Sequence, residues 1–350
     1  MWRIDGGQKS GSGTIVRDAV SLAVLRGEEL ELTRIRAKRE KPGLRPQHLR
    51  SIQAAVELSG GRVEGAAVGA TAIRVSPGQA IAGGEFSWDI GSAGSTTMLA
   101  LTVIPIALFA RRPSRFLISG GLFQDFAPSV FHLCYVLLPR LKMMGAMADL
   151  KIIQPGYVPS GQGQLWLEVK PLAGKLRSLN LLNQGTVEKI KGIALSSHLE
   201  ERKVSERMAG ACRKVLGLRG YEAEIDLLYD SRENPAFERP SVQRGASLAV
   251  WAATDSGCLV GSDMVGAPRR RAEFIGEQTA RNLLEDLDAD CTVDRHLADQ
   301  LVPFAALAEG WSSYLIPRVS EHLETRLWLI EQTLRVRTEL KGRLLRIQGV

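Results

Sequence analysis

The sequence predicts an α+β fold of layered helices and sheets, on three observations. First, a helix, a Gly-marked turn, a strand, a Gly/Pro loop and a second strand recur along the chain. The copies cover 47–58, 61–68 and 70–75; 130–144, 148–153 and 164–169; 205–216, 221–228 and 246–252; and 321–333, 334–339 and 342–347. Second, 45% hydrophobic and 24% charged residues are globular proportions. Third, the most apolar run, 98–110, is broken by Pro105 and is shorter than the ~20 residues that span a bilayer. It reads as a buried helix.

Taken in order, the start MWRIDGGQKS lacks the apolar core of a signal peptide. Residues 5–17 form a glycine- and serine-rich turn before an apolar helix over 14–25. Amides in such a turn can cradle phosphate; a plain strand-to-helix turn would look the same. No GK[ST] follows, so it is not a P-loop. A strand over 30–35 leads into Arg34, Arg36, Lys38, Arg39, Lys41, Arg45 and Arg50, opposed by Glu40 alone. Pro42, Gly43 and Pro46 are expected to keep this basic stretch irregular, a shape suited to phosphate or simply to solvent.

The four cysteines are far apart with no CxxC, which points away from a zinc site or disulfide framework and toward reduced thiols in a cytoplasm. A formal charge of +7 favours an anionic partner such as nucleic acid or nucleotide. Loop 230–244, with two prolines and many charges, is expected to be mobile. Arg269, Arg270 and Arg271 read as a solvated basic surface.

Two polar clusters interrupt the apolar sequence between 292 and 331. On a helix, His296 shares a face with Asp299 and Gln300, and His322 shares one with Thr325 and Arg326. Ser320 is a candidate N-cap, which puts His322 in a first helical turn. The helix dipole there disfavours imidazolium and attracts phosphate. Ordinary polar residues on two surface helices would read the same way.

With these segments in view, the chain resembles the RNA 3'-terminal phosphate cyclases. DGGQ, GSG and Arg17, IRAKREKPGLRPQHL, IGSAGSTT, GYVPSGQG, HLADQL and SEHLET stand in that family's order from about Ile4 to the C-terminus. The resemblance implies βαβαββ units as in enolpyruvate transferases, over residues 1–177 and 272–350. It also implies a smaller inserted βαβαββ domain over 178–271. The implied reaction is ATP-dependent conversion of an RNA 3'-terminal phosphate to a 2',3'-cyclic phosphate. It runs through a covalent histidine–AMP and an RNA-adenylate, assisted by Mg²⁺ or Mn²⁺. His322 matches the nucleophile. His296, Leu297, Ala298, Asp299, Gln300 and Pro128 match nucleotide-binding positions. Arg17, Arg36, Arg39, Gln47 and His48 match groups around the phosphates. No residue is assigned to metal.

Departures from the pattern are Ser10 where a carboxylate is usual, Leu101 for Gln, and Leu122 and Phe123 for polar residues. A non-catalytic RNA-binding relative acting in RNA processing or ribosome assembly is the alternative expectation.

Overall fold

The computed structural model describes residues 1–350. Its first unit runs β1 (Trp2–Asp5), α1 (Gly13–Arg26), β2 (Leu30–Thr33), α2 (Pro46–Ser59), β3 (Arg62–Glu64) and β4 (Ile73–Ser76). The sheet order is β1-β2-β4-β3, with β1 and β2 parallel and the remaining pairs antiparallel. This is a βαβαββ unit. Ser12 caps α1 by accepting the Thr14 N–H, and Gly27 ends the helix at φ 63°. Nearly every α1 residue is buried, as suits a helix between a sheet and other helices. Pro46 does not prolong the irregular basic stretch. It opens α2 at the first position, where its missing N–H leaves no bond unmade, so Gln47, His48 and Arg50 are helical.

The second unit repeats the order. It runs β5 (Gly84–Asp89), α3 (Thr96–Ala107), β6 (Ser114–Gly120), α4 (Val130–His132), α5 (Leu138–Met143), β7 (Met147–Gln154) and β8 (Gly163–Lys170). A π-helical turn, Leu133–Leu137, joins α4 to α5. The sheet order β5-β6-β8-β7 matches that of the first unit. Pro105 lies in the last turn of the expected apolar helix, which is α3.

The third unit is split. After β9 (Leu176–Arg177), its first strand is β10 (Asn180–Leu181). The chain then leaves through β11 (Val187–Ser197), α6 (Val204–Gly217), β12 (Ala223–Asp230), β13 (Gly245–Thr254), β14 (Leu259–Val265) and α7 (Ala272–Asp288). It returns through α8 (Leu297–Gln300), α9 (Val302–Ala306), β15 (Ala308–Glu309), β16 (Trp311–Leu315), α10 (Glu321–Leu334), β17 (Thr338–Lys341) and β18 (Leu344–Gln348). The order β10-β16-β18-β17, with β10 and β16 parallel, completes a third βαβαββ sheet.

The interposed sheet has the order β12-β11-β13-β14. The third expected repeat falls here, but β12 and β13 flank β11 instead of pairing with each other. The outline is βαβββα, its second helix coming last. Pro235 and Pro240 disfavour a helix between β12 and β13. That loop is instead stitched to Asp230, whose carboxylate accepts from the amides of Ala236 (3.2 Å) and Ser241 (2.9 Å).

One core of 72 buried residues runs through the three layered units, and a second of 20 lies under the interposed sheet. Ile275, Ala280, Leu283 and Leu284 of α7 belong to the second core, so a boundary drawn at 271 falls ahead of that helix. Tyr135 in the π turn stacks on Trp251 of β13, centroids 4.6 Å apart and 1° from parallel. Such a pair contributes about 0.5–1.5 kcal/mol beyond its burial. All four cysteines are free, and no helix is long and apolar enough to cross a membrane.

Candidate active site

A cavity of about 380 Å³ opens where the N-termini of α1, α3 and α10 meet beside β14 and α8. Thr14, Met98 and His322, each in a first turn, line it. Three helix ends present amides and positive dipole ends to one space, an arrangement that favours anions.

His322 is the second residue of α10. Ser320 fixes that helix end by accepting the Leu323 N–H at 3.1 Å. The imidazole Nδ1 lies 3.1 Å from Thr14 Oγ1. No protein group bonds Nε2, and the side chain is exposed to the cavity. For Nε2 to carry the lone pair, Nδ1–H must donate to Thr14. The His322 pKa is lowered by burial first; Asp299 opposes the shift, and Arg326, Arg17 and Arg39 reinforce it. The ring is therefore neutral at pH 7.

Arg326, one turn further on, is buried. Its Nε donates to Asp18 Oδ2 at 2.8 Å, and its Nη1 lies 2.9 Å from Asp299 Oδ2 without hydrogen-bond alignment. Arg17 also lines the cavity and is buried, yet no carboxylate reaches ion-pairing distance. Burial lowers its pKa to about 10, partly offset by Asp18, so it stays charged at neutral pH. A buried cation without a partner is costly unless an anion joins it.

Among the other expected residues, His296, Asp299, Gln300 and Pro128 line the cavity. Leu297 and Ala298 do not; they turn into the main core. Arg36, Arg39, Gln47 and His48 stand outside the cavity wall. Arg36 Nη1 donates to the carbonyls of Lys41 (2.7 Å) and Gly43 (2.8 Å), holding its own loop. Gln47 accepts the Ser95 N–H at 3.1 Å, at the mouth of α3. His48 Nδ1 accepts the Arg45 N–H at 3.2 Å. Its ring packs so close to α1 that a Cβ on Gly13 would lie 2.2 Å from Nε2. Burial, then Arg17, Arg36 and Arg45, push the His48 pKa down to about 2.

Asp294 carries no local signal in the sequence, because its partners His132 and Gly261 are remote. Its carboxylate accepts from the amides of His296 and Leu297 (2.8 Å each) and Gly261 (3.0 Å), and lies 3.1 Å from His132 Nε2. It thereby fixes α8 against α4 and β14. Thr14 is silent in the same way; nothing in a lone threonine announces a contact 308 residues away.

Ser10 is buried in a hydroxyl cluster, its Oγ 2.9 Å from both Ser12 Oγ and Thr325 Oγ1. Leu101 lines the cavity. Leu122 and Phe123 are core residues, with Phe123 stacked on Tyr157 at 5.3 Å. The cavity's carboxylates are already engaged: Asp125 by Arg270, Asp263 by the Ser129 amide, Asp299 by Arg326. No three His, Cys, Asp or Glu side chains are grouped to hold a metal, so this donor set does not match a protein-built divalent-metal centre.

The family model described as RNA 3'-terminal phosphate cyclase matches residues 8–340. A protein of that name from Pyrobaculum neutrophilum is 35% identical over 339 residues, 97% of this chain and 94% of its own. One from Pyrobaculum aerophilum is 34% identical, covering 99% and 98%. One from Archaeoglobus fulgidus is 35% identical, covering 100% and 98%. Among solved structures, the enolpyruvyl transferase NikO from Streptomyces tendae overlaps 49% of this chain and 33% of its own. Its identity is 17% and its TM-score 0.29, too slight an overlap to bear on the fold.

Proposed function

The chain belongs to the RNA 3'-terminal phosphate cyclase family, and from that premise we propose that it converts an RNA 3'-terminal phosphate to a 2',3'-cyclic phosphate using ATP, through an adenylate on His322. The observation that carries the reading is His322 itself. It is a neutral imidazole with Nδ1 held by Thr14 and Nε2 free, facing a cavity where three helix N-termini and the unpaired Arg17 await an anion.

In the first step, Nε2 attacks the α-phosphorus of ATP. An N–P bond forms and the bond to pyrophosphate breaks, the leaving group keeping the electron pair. In the second, an oxygen of the RNA 3'-phosphate attacks the same phosphorus and displaces the imidazole. In the third, the 2'-hydroxyl attacks the 3'-phosphorus, its proton passing to solvent, and closes the cyclic phosphate as AMP leaves with the electron pair of the broken P–O bond. Through all three, Arg17, the helix ends and Arg326 offset charge on the phosphoryl oxygens. His296, Asp299, Gln300 and Pro128 line the space for the nucleoside, and the basic segment carrying Arg36, Arg39, Gln47 and His48 flanks the phosphates. A divalent metal, Mg²⁺ or Mn²⁺, would add Lewis-acid stabilisation of the phosphates when bound.

Incubation with α-labelled ATP and a divalent metal tests this reading. Label stable to base, lost in acid and mapped to the peptide carrying His322 is expected. Absence of label, or label on a lysine or another histidine, would sink it. Binding of RNA without label would instead favour the non-catalytic relative, the reading that Ser10's missing carboxylate supports.

A further inference from the structure

We propose that a second cleft, next to the nucleotide cavity, binds the single-stranded RNA that trails on the 5' side of the reacting end. This rests on the cyclase reading above. The cleft has a volume of about 510 Å³ and lies between the Tyr157–Pro159 turn and the interposed unit. Arg202, Arg207, Arg244, Arg269, Arg270 and Arg271, spread over 70 residues of sequence, converge on it.

Two of the six are neutralised. Arg207 holds Glu273 through both nitrogens at 2.7 and 3.0 Å, and Arg270 holds Asp125 at 2.9 and 3.0 Å. Arg271 reaches Glu273 only at 3.7 Å. Arg202, Arg244 and Arg269 are exposed and have no carboxylate within ion-pairing distance. Gathered like charges repel unless a polyanion joins them. The residues are all arginine, whose flat fork suits phosphate oxygens and stacks on bases.

The cleft adjoins the reaction cavity. Asp125 lines the cavity and its partner Arg270 lines the cleft; Val265 faces the cavity and Gly266 faces the cleft. Next to Asp125, on the rim of the reaction cavity, stands Phe126. Its side chain is wholly exposed and its φ is +65°, a left-handed conformation that bulky residues avoid. An aromatic ring held in water beside a basic groove is a stacking platform for a base, and stacking with a cationic track is how single strands are bound. The basic loop at 34–45 is the rival path. There Arg34 is paired with Asp5, and Arg36 and Lys38 keep their charge but have their side chains fixed on the Lys41, Gly43 and Lys9 carbonyls, so that loop is assigned to the phosphates of the reaction proposed above and not to the trailing strand.

The experiment uses the full chain with two RNAs carrying 3'-phosphates, a dinucleotide and a twelve-nucleotide single strand. Cyclisation rates and binding by fluorescence anisotropy are measured across salt concentration. The triple variant R202A/R244A/R269A should lose roughly 10- to 100-fold in kcat/KM on the longer RNA, through KM. It should match the unmodified protein on the dinucleotide. Removing three phosphate contacts should reduce the salt slope of long-strand binding by about 2. Phe126→Ala should lose several-fold more on the longer RNA than on the dinucleotide. Equal losses on both RNAs, or no preference for the longer strand in the unmodified protein, would overturn the assignment. So would displacement of the long RNA by polyglutamate as effective as by RNA, which would give the cleft to an acidic protein. If no protein takes label from ATP, the cyclase reading fails separately. The cleft then stands or falls on whether the triple variant binds the long strand more weakly.

Discussion

Helices α4 and α10 are the second helices of their βαβαββ units, and each opens with a serine cap and a histidine in its first turn. Their histidines do opposite things. His132 is 1% exposed, with Nε2 on Asp294 and no partner for Nδ1. Burial alone lowers its pKa, but Asp294 outweighs burial and the net shift is upward. His322 is exposed, has no carboxylate bonded to it, and its pKa is lowered. The equivalent helix of the first unit repeats the theme with His48, neutral and 3% exposed. Position in the repeat supplies a histidine near a helix end; the neighbouring charge and the access to a cavity decide what it does. One is an ionic tie, one a buried cap and one a candidate nucleophile.

The sharpest way to break this contrast is to remove each ring in turn. His322→Ala is expected to lower labelling by ATP at least a thousand-fold while the thermal transition stays in place. A first-turn residue at a cavity edge packs little. His132→Ala should still take label in its folded fraction. Full labelling of His322→Ala would erase the distinction.

Next in size is the tie itself. Asp294→Ala removes the tie to His132, whose ring burial then holds neutral, and leaves three buried amides unbonded, which should cost about 3–5 kcal/mol in denaturant unfolding. A loss under about 1 kcal/mol would mean that Asp294 does not hold α8 against α4 and β14.

The pH dependence separates the two histidines further. A raised folded pKa means that the stability from His132 is fully present below its ordinary 6.5 and is lost as pH rises through the higher folded value. Asp294, lowered from 3.8, contributes above that value and is lost only in stronger acid. The pair should therefore be intact from pH 3.8 to 6.5 and weaken above it, a decline that Asp294→Ala lacks. A stability profile flat above 6.5 in the unmodified protein contradicts this.

Two smaller effects sharpen the His322 side. Thr14→Val removes the Nδ1 partner; losing a bond of about 1 kcal/mol should slow adenylylation roughly five-fold. The acid limb of adenylylation should lie below pH 6.5, because only the neutral ring attacks. Asp299→Asn should move that limb lower still, since Asp299 opposes the downward shift. A limb that moves upward would show that Asp299 acts by another route.

Much of this was legible in the residues. Helical spacing alone put His296, Asp299 and Gln300 on one face, and that face lines the cavity while Leu297 and Ala298 turn to the core. Ser320 marked the start of α10. What stayed hidden was long-range. His132 and Asp294 are 162 residues apart, and Thr14 and His322 are 308 apart. Local pattern also could not tell that Arg36 serves its own loop, or that β12 and β13 have β11 between them. Arg269 and Arg271 are exposed, as a solvated face requires, but that Arg202 and Arg244 from other segments line the same cleft could not be read from local pattern.

The split in the third unit has a consequence for how the chain finds its fold. Asn180 of β10 must pair alongside Ser313 of β16, 133 positions later, a distant pairing that is slow to nucleate. The interposed unit eases this, because its ends are brought side by side: Gln184 Nε2 donates to the carbonyls of Leu287 (3.1 Å) and Cys291 (2.9 Å). Once that unit has closed on its own 20-residue core, the free loop between β10 and β16 is about four-fold shorter. At roughly 0.6 kcal/mol per doubling, that removes about 1.2 kcal/mol of closure entropy. Folded ahead of the last sheet, the interposed unit would act as a splint, bringing together the strands on which that sheet, and with it the helix carrying His322, is built.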